Sequence, residues 1–347
     1  MPSLIRPALA SIVLLAGVFS APVVRAETGP DPVAPKPLFR DPVFDGAADT
    51  VVVWNPKEKS WLMFYTNRRS KIATVDLSEK KWIHGTRIGI AESKDGGTTW
   101  TYRGVAKINY GPEDYTQWAP EIVEEGGIYH MYLTIVPGTF DSWNHPRQIV
   151  HLTATDLLSD WKYEGTLKLA SDRVIDPCVI KLPDGTWRMW YNNERDKKSI
   201  YYAESKDLFD WEDRGKITGA NDRPGEGPKV FRWKNSYWLL VDTWKGQGVY
   251  KSSDALAWTR QEENLLGKPG TGADDNDVGR HCDVVVSGDR AFLFYFTHPG
   301  MTHEAAKTDG HERTRSSIQV VELHEKDGAL TCDRETPTHV RLLPPSL

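Results

Sequence analysis

The chain is poor in cysteine: Cys178, Cys282 and Cys332 are the only three in 347 residues. An odd set of three cannot close a disulfide framework. Cys178 and Cys282 lie inside apolar runs, where a thiol reads as a small buried hydrophobe. Beyond the N-terminal segment no apolar run is long enough to cross a bilayer as a helix. There is also no excess of positive charge. Forty-three Lys and Arg stand against 48 Asp and Glu, a formal charge of −5, with no basic stripe. That balance excludes a nucleic-acid partner or an anionic membrane surface, either of which needs a positive field. A helical apolar period is missing as well, so a helical body is excluded.

What is present begins with "MPSLIRPALASIVLLAGVFSAPVVRAETG". An early Arg6, an apolar run from Ala8 to Ala21 and a small-residue exit at Val24-Arg25-Ala26 have the form of a secretory signal. Residues 1–26 are therefore expected to be removed on export to the periplasm or the medium, and no cysteine near the cleavage point offers a lipid anchor. Residues 27–37 read as an extended Pro-rich lead with no packing pattern of its own. The folded body is expected over residues 38–347.

Within that body, short β-branched and aromatic runs broken by Gly, Asp, Asn and Pro recur, and they recur with a period. Four segments share a Ser/Thr-x-Asp…Trp pattern, "AESKDGGTTWTYRG", "TATDLLSDWKYEG", "AESKDLFDWEDRG" and "KSSDALAWTRQ", which place Trp100, Trp161, Trp211 and Trp258. Five hairpin-like pairs alternate with them. A pair plus a Trp segment makes four strands, and five such units fill the body. The reading is an all-β, five-bladed β-propeller with four antiparallel strands per blade.

In a propeller the innermost strands line a central channel and their first residues converge at one mouth. Aligning the five starts places Asp49, Ala119, Asp176, Glu226 or Gly227, and His281 around that ring. One acid before a strand is an ordinary turn cap. Three in equivalent places, each followed at once by an apolar run, suggest a shared site. Fourteen Trp and thirteen Tyr suit a sugar cleft, although aromatics also fill cores.

The blade starts "ADTVVVW", "WAPEIV", "IDPCVI" and "EGPKVF", with the hairpin ends "GIYHMYLT" and "DGTWRMWY", resemble the five-bladed glycoside hydrolases of family 43 and, more distantly, the family 117-like neoagarobiose hydrolases. The resemblance runs from about residue 38 to 335. It implies a general base in blade one, an acid in blade three that tunes pKa and orientation, and a general acid in blade four: Asp49, Asp176 and Glu226. The chemistry asks for the same trio. Inverting hydrolysis needs one carboxyl to protonate the leaving oxygen and one carboxylate to activate water on the opposite face, roughly 6.5–9.5 Å apart. A third carboxylate beside the acid raises its pKa by like-charge repulsion. The family's first-blade acid precedes Pro, whereas Asp49 precedes Thr50 and the Asp-Pro pair lies in "RDPVFDG". Asp41 is the rival base, and Asp49 is preferred because it leads into "TVVVW". The Asn-Asp-Pro-Asn signature of the retaining, fructan-cleaving relatives is absent.

Further residues expected at the mouth are Trp118 and Glu121 in "QWAPEI", with Trp118 stacking on a sugar face, and Arg280 and His281 at the start of blade five. Relatives place a His at the channel, sometimes beside a cation; the resemblance admits a structural calcium there, but no ligand cluster with metal spacing stands in the sequence and none is assigned. Insertions at 67–87 and 298–315 interrupt blades one and five, neighbours in a closed ring, and are expected to rim one pocket and favour exo action. The expected function is an exported, exo-acting, inverting glycosidase. It removes a terminal sugar, α-L-arabinofuranose or a related pentose, from plant or algal polysaccharide fragments. One alternative is a glycoside phosphorylase using Arg68, Arg69 and Arg280 for phosphate. The other is a non-catalytic carbohydrate-binding propeller, which would not need three channel acids.

Overall fold

A computed structural model describes residues 31–76 and 79–345; the expected signal at 1–26 lies outside the described residues. Among the described residues twenty-one strands build five sheets in a ring. Blade one is β1 (Ala47–Asn55), β2 (Ser60–Asn67), β3 (Arg87–Ser93) and β4 (Thr101–Val105). Blade two is β6 (Thr116–Glu125), β7 (Ile128–Val136), β8 (Gln148–Ala154) and β9 (Asp160–Thr166), and the short β5 (Lys107–Ile108) adds to its outer edge parallel to β9. Blade three is β10 (Val174–Lys181), β11 (Trp187–Asn193), β12 (Ser199–Ser205) and β13 (Trp211–Lys216). Blade four is β14 (Glu226–Trp233), β15 (Ser236–Asp242), β16 (Gln247–Ser252) and β17 (Thr259–Arg260). Blade five is β18 (Arg280–Ser287), β19 (Arg290–Thr297), β20 (Ser317–Lys326) and β21 (Ala329–Cys332). Within each blade the four strands follow chain order and pair antiparallel, and the first strand of each blade touches the first strands of both neighbours. The ring is closed, as the repeat predicts.

The recurring tryptophans hold blade to blade. Trp161 meets Phe64 of blade one edge-on, Trp211 meets Tyr132 of blade two, Trp258 meets Trp190 of blade three, and Trp100 meets Phe294 of blade five, with centroids 5.4–6.4 Å apart. Each wedges the outer edge of one blade onto the middle of another, burying large apolar area at preferred T-shaped geometry. The three cysteines are unbridged. The described part of the lead, residues 31–37, differs from expectation: it is packed. Ala34 N–H donates to Thr338 O at 2.9 Å, Lys36 Nζ reaches Asp275 Oδ2 at 2.7 Å, and Phe39 exchanges backbone hydrogen bonds with Ile318 of β20. These contacts tie the segment before β1 to blade five, which explains why a stretch without apolar periodicity is nonetheless ordered.

Every innermost strand carries a β-bulge at its start: between Ala48 and Val51, Trp118 and Pro120, Ile175 and Cys178, Glu226 and Lys229, and Arg280 and Cys282. In four of them a bulge residue adopts positive φ: Asp49 at 49°, Ala119 at 41°, Asp176 at 58° and Gly227 at 58°. Such a conformation is costly for a residue with a Cβ and persists only where neighbours impose it. The neighbours are the preceding blades. Thr66 Oγ1 accepts the Ala119 N–H at 2.8 Å, Thr134 Oγ1 the Asp176 N–H at 3.1 Å, Asp176 Oδ2 the Gly227 N–H at 2.9 Å, and Asp242 Oδ2 the His281 N–H at 2.9 Å. The ring at the channel mouth is thus fixed from blade to blade.

Candidate active site

Over this ring lies a cavity of about 570 Å3 whose lining includes Asp49, Asp176 and Glu226 together with Trp118, Arg280 and His281. A wider hollow of about 710 Å3 flanks blades four and five, lined by residues such as Arg260, Glu262 and Lys268, and holds none of the ring acids. Position over the channel mouth, not size, marks the site.

Asp49 is buried and faces two cationic groups. Arg68, just after β2, donates from Nη2 to Asp49 Oδ1 and Oδ2 at 3.0 and 3.1 Å, and His281 Nδ1 stands 3.5 Å from Oδ1. Burial alone would raise the Asp49 pKa, but the Arg68 charge and His281 outweigh it and hold the carboxyl well below its ordinary range. Arg68 is itself held: its guanidinium lies 4.7 Å from the Phe296 ring centre, and Nη1 is 3.2 Å from His298 Nε2. Burial and the charges of Arg68 and Arg280 push His298 down to about 3, so its imidazole is neutral and accepts from Arg68.

Asp176 has the opposite electrostatics. Burial, with the negative charges of Glu226 and Asp49, drives its pKa well above the carboxylate range, against the pull of His281. His281 is pushed up to about 9 because Asp176 and Asp49 outweigh the cost of burying its charge. Glu226 stands one residue before Gly227, at the blade-four position of the ring. Its Oε2 accepts from Lys198 Nζ at 3.0 Å and its Oε1 from the Trp244 indole N–H at 3.2 Å. Opposite it in the β14–β15 register is Asp242, which burial and the Glu226 charge push up to about 6.

The remaining sequence-derived candidates divide. Trp118 lines the cavity, with its indole N–H on Ile83 O at 2.7 Å, and Arg280 lines it while paired to Asp277 at 3.1 Å. Glu121 does not line the cavity. It lies two residues beyond Ala119, one step down the same face of β6, and there it meets Lys229 Nζ at 3.1 Å; Lys229 in turn reaches Asp283 Oδ1 at 2.7 Å. This buried triad plugs the channel below the mouth. Asp41 is absent from the lining too. Its Oδ1 caps the N–H groups of Val43 and Phe44 at 2.9 and 2.6 Å, and its Oδ2 accepts from Tyr65 and Asn67 at 2.7 and 3.0 Å. Its acceptor capacity is divided between the turn and β2, with none left for the cavity.

Both insertions reach the cavity as expected. Trp82 and Ile83 come from the first and His298 and Met301 from the second, and Ser70 Oγ joins the two by donating to Thr314 O at 3.0 Å. A third loop was not anticipated: Trp143 and Arg147 of blade two complete the rim, and His145 Nε2 lies 3.0 Å from His84 Nε2. Sequence reasoning also missed Glu194, Lys198, Asp242 and Trp244. For Asp242 the signal existed, since an antiparallel hairpin places the end of β15 opposite Glu226; the others sit in turns with no repeat. A calcium fits poorly beside His281. Calcium takes six to eight oxygen ligands, whereas among the described residues no group of three or more His, Cys, Asp or Glu is arranged to hold a metal.

With this geometry in place, comparison with known proteins is informative. The profile of glycosyl hydrolases family 43 matches residues 77–243, a span that includes Asp176 and Glu226. No curated protein matches the chain in sequence. Among solved structures, a thermostable family-43 glycoside hydrolase superposes with a TM-score of 0.62 at 19% identity, covering 89% of this chain and 99% of that one. A family-43 β-xylosidase/α-arabinofuranosidase from a compost microbial metagenome, in complex with xylotriose, gives 0.60 at 16% identity over 82% and 93% of the two chains. An exo-1,5-α-L-arabinanase from a bovine ruminal metagenomic library gives 0.57 at 16% over 86% and 100%. Five closed blades, three acids from three of them in one cavity, and a family-43 profile over residues 77–243 lead to one conclusion: the chain is a glycoside hydrolase similar to family 43.

Proposed function

We propose that this glycoside hydrolase is exported, acts from chain ends, inverts configuration, and releases α-L-arabinofuranose or a related pentose from plant or algal oligosaccharides. The observation that carries the mechanism is the contrast between Asp49 and Asp176 in one cavity. Asp49, held ionised by Arg68 and His281, is the base that takes a proton from water. Glu226 protonates the departing oxygen. Asp176, its own pKa driven up by burial and by the charges of Glu226 and Asp49, is the third carboxyl of the trio and orients the acid. Exo action is supported by the loops of blades one and five, which wall one side of the cavity. The pentose is supported by the named activities of the xylosidase/arabinofuranosidase and arabinanase structures, one of which holds xylotriose.

A phosphorylase finds less support, because each arginine it would use is engaged: Arg68 on Asp49, Arg280 on Asp277, and Arg69 on His84 O at 3.2 Å. The test is a panel of aryl glycosides and plant oligosaccharides, with NMR of the fresh product. Release of a single terminal pentose with inverted anomeric configuration is expected. Retained configuration, or internal cleavage, would overturn the corresponding part of the proposal.

A further inference from the structure

The turn joining β11 to β12 is built against its backbone preference. Ser199 N–H donates to Asp196 O at 3.0 Å, and both central residues, Lys197 and Lys198, adopt positive φ, 53° and 55°. Turns of this kind select Asn and Gly, because a left-handed backbone crowds a larger side chain. Two lysines there are an outlier in need of a cause.

The cause lies where the Lys198 side chain goes. Its Nζ donates to Glu194 Oε1 at 2.6 Å and to Glu226 Oε2 at 3.0 Å, and it sits 5.3 Å from the Trp244 ring centre. Glu194 is gripped from its other oxygen by Arg147 Nε at 2.5 Å. A line of alternating charge therefore runs along the cavity wall from blade two through blade three to the acid on blade four. Burial opposes the charge on Lys198, but Glu226 and Glu194 hold it protonated. Both partners of Glu226, the ammonium and the indole N–H of Trp244, are donors with no acceptor capacity.

We propose that Lys198 is a positioning residue for the proton-transfer step: it aims the Glu226 carboxyl and stabilises the carboxylate left behind when the proton departs. The inference rests on Glu226 being the acid. In the step, the Glu226 O–H bond breaks and a new O–H bond forms on the glycosidic oxygen as its bond to the anomeric carbon breaks. Water adds to that carbon and passes its proton to Asp49. Glu226 thereby goes from neutral to negative beside a fixed positive charge, so the attraction grows along the reaction coordinate, which is the condition for lowering a barrier. While Glu226 is protonated, Glu194 keeps the ammonium in reach.

The test uses the full chain and two substrates of the sugar that the panel selects, in the proposed case an α-1,5-linked arabinobiose and a 2,4-dinitrophenyl α-L-arabinofuranoside. Only the first needs its leaving oxygen protonated. Lys198→Asn suits a left-handed turn yet is too short to reach Glu226, so its melting temperature should equal or exceed that of the parent. Its kcat on the disaccharide should fall about 10- to 100-fold, part of what general acid catalysis supplies, while kcat on the dinitrophenyl substrate should fall no more than about threefold. Lys198→Arg should recover most of the loss. Equal losses on both substrates, or no loss on the disaccharide, would overturn the inference. Glu226→Gln in parallel separates the two claims. If it turns over the disaccharide normally, the acid assignment fails and the inference with it; if it does not while Lys198→Asn does, only the role of Lys198 fails.

Discussion

Replacing Arg68 by Met tests the base directly. Methionine keeps the bulk over the Phe296 ring and removes the charge that Asp49 receives at 3.0 Å. At that distance and an effective dielectric of about 20, a unit pair is worth about 5 kcal/mol, or close to four pKa units at about 1.36 kcal/mol each. His281 remains 3.5 Å away and takes up part of the loss, so a rise of about two units is expected. Asp49 must be ionised to accept the proton of water, so raising its pKa moves the acid limb of kcat/KM to higher pH. That limb should move up by about two pH units, while the alkaline limb stays in place. Stability changes with the same sign. A depressed carboxylate stabilises the fold above its ordinary pKa and loses that contribution as pH falls through the depressed value, so the variant should be weaker at neutral pH. Breaking a buried pair costs about 3–5 kcal/mol, and the lower end applies because the Arg68 side chain is 19% exposed. The assay is kcat/KM from pH 3 to 9 on an activated aryl glycoside, with urea unfolding at pH 7. An active variant whose acid limb has not moved would refute Asp49 as the base.

Three further outcomes are expected. Asp41→Asn should lower stability by about 1–3 kcal/mol, because part of the Val43, Phe44, Tyr65 and Asn67 donor set loses its acceptor, while the folded variant keeps its kcat; inactivity without unfolding would return Asp41 as the base. Gly227→Ala should nearly abolish turnover, since a Cβ there meets His281 Cγ at 2.5 Å in a backbone already at φ +58°; unchanged kcat and melting temperature would show that the ring tolerates movement. Mass spectrometry of the protein secreted by an expressing host should find an N-terminus at Glu27, and a start far from it would remove the export proposal.

The blade count, the strand pairing within blades and the places of Asp49, Asp176 and Glu226 over one cavity were legible in the chain. Alternation of apolar and polar residues fixes which face of a strand is buried, and the Trp segments repeat because each must wedge against an aromatic of another blade. What the sequence left undecided were pairs that look alike along the chain. Glu121 follows an inner-strand start much as Asp176 does, yet two residues of register carry it below the mouth to Lys229 and Asp283. Asp41 carries the Asp-Pro pair of the family pattern, but its lone pairs are taken by a turn and by Tyr65 and Asn67 of β2. The groups that surround the acids, Arg68 on Asp49, Lys198 with Glu194 on Glu226, and Asp242 opposite Glu226, stand at strand ends and in turns, where no period constrains them. Their neighbours come from other blades or from residues distant in the chain, so only closure of the ring brings these charges within hydrogen-bonding distance, and the pKa of a buried carboxyl is decided by such neighbours rather than by its place in a motif.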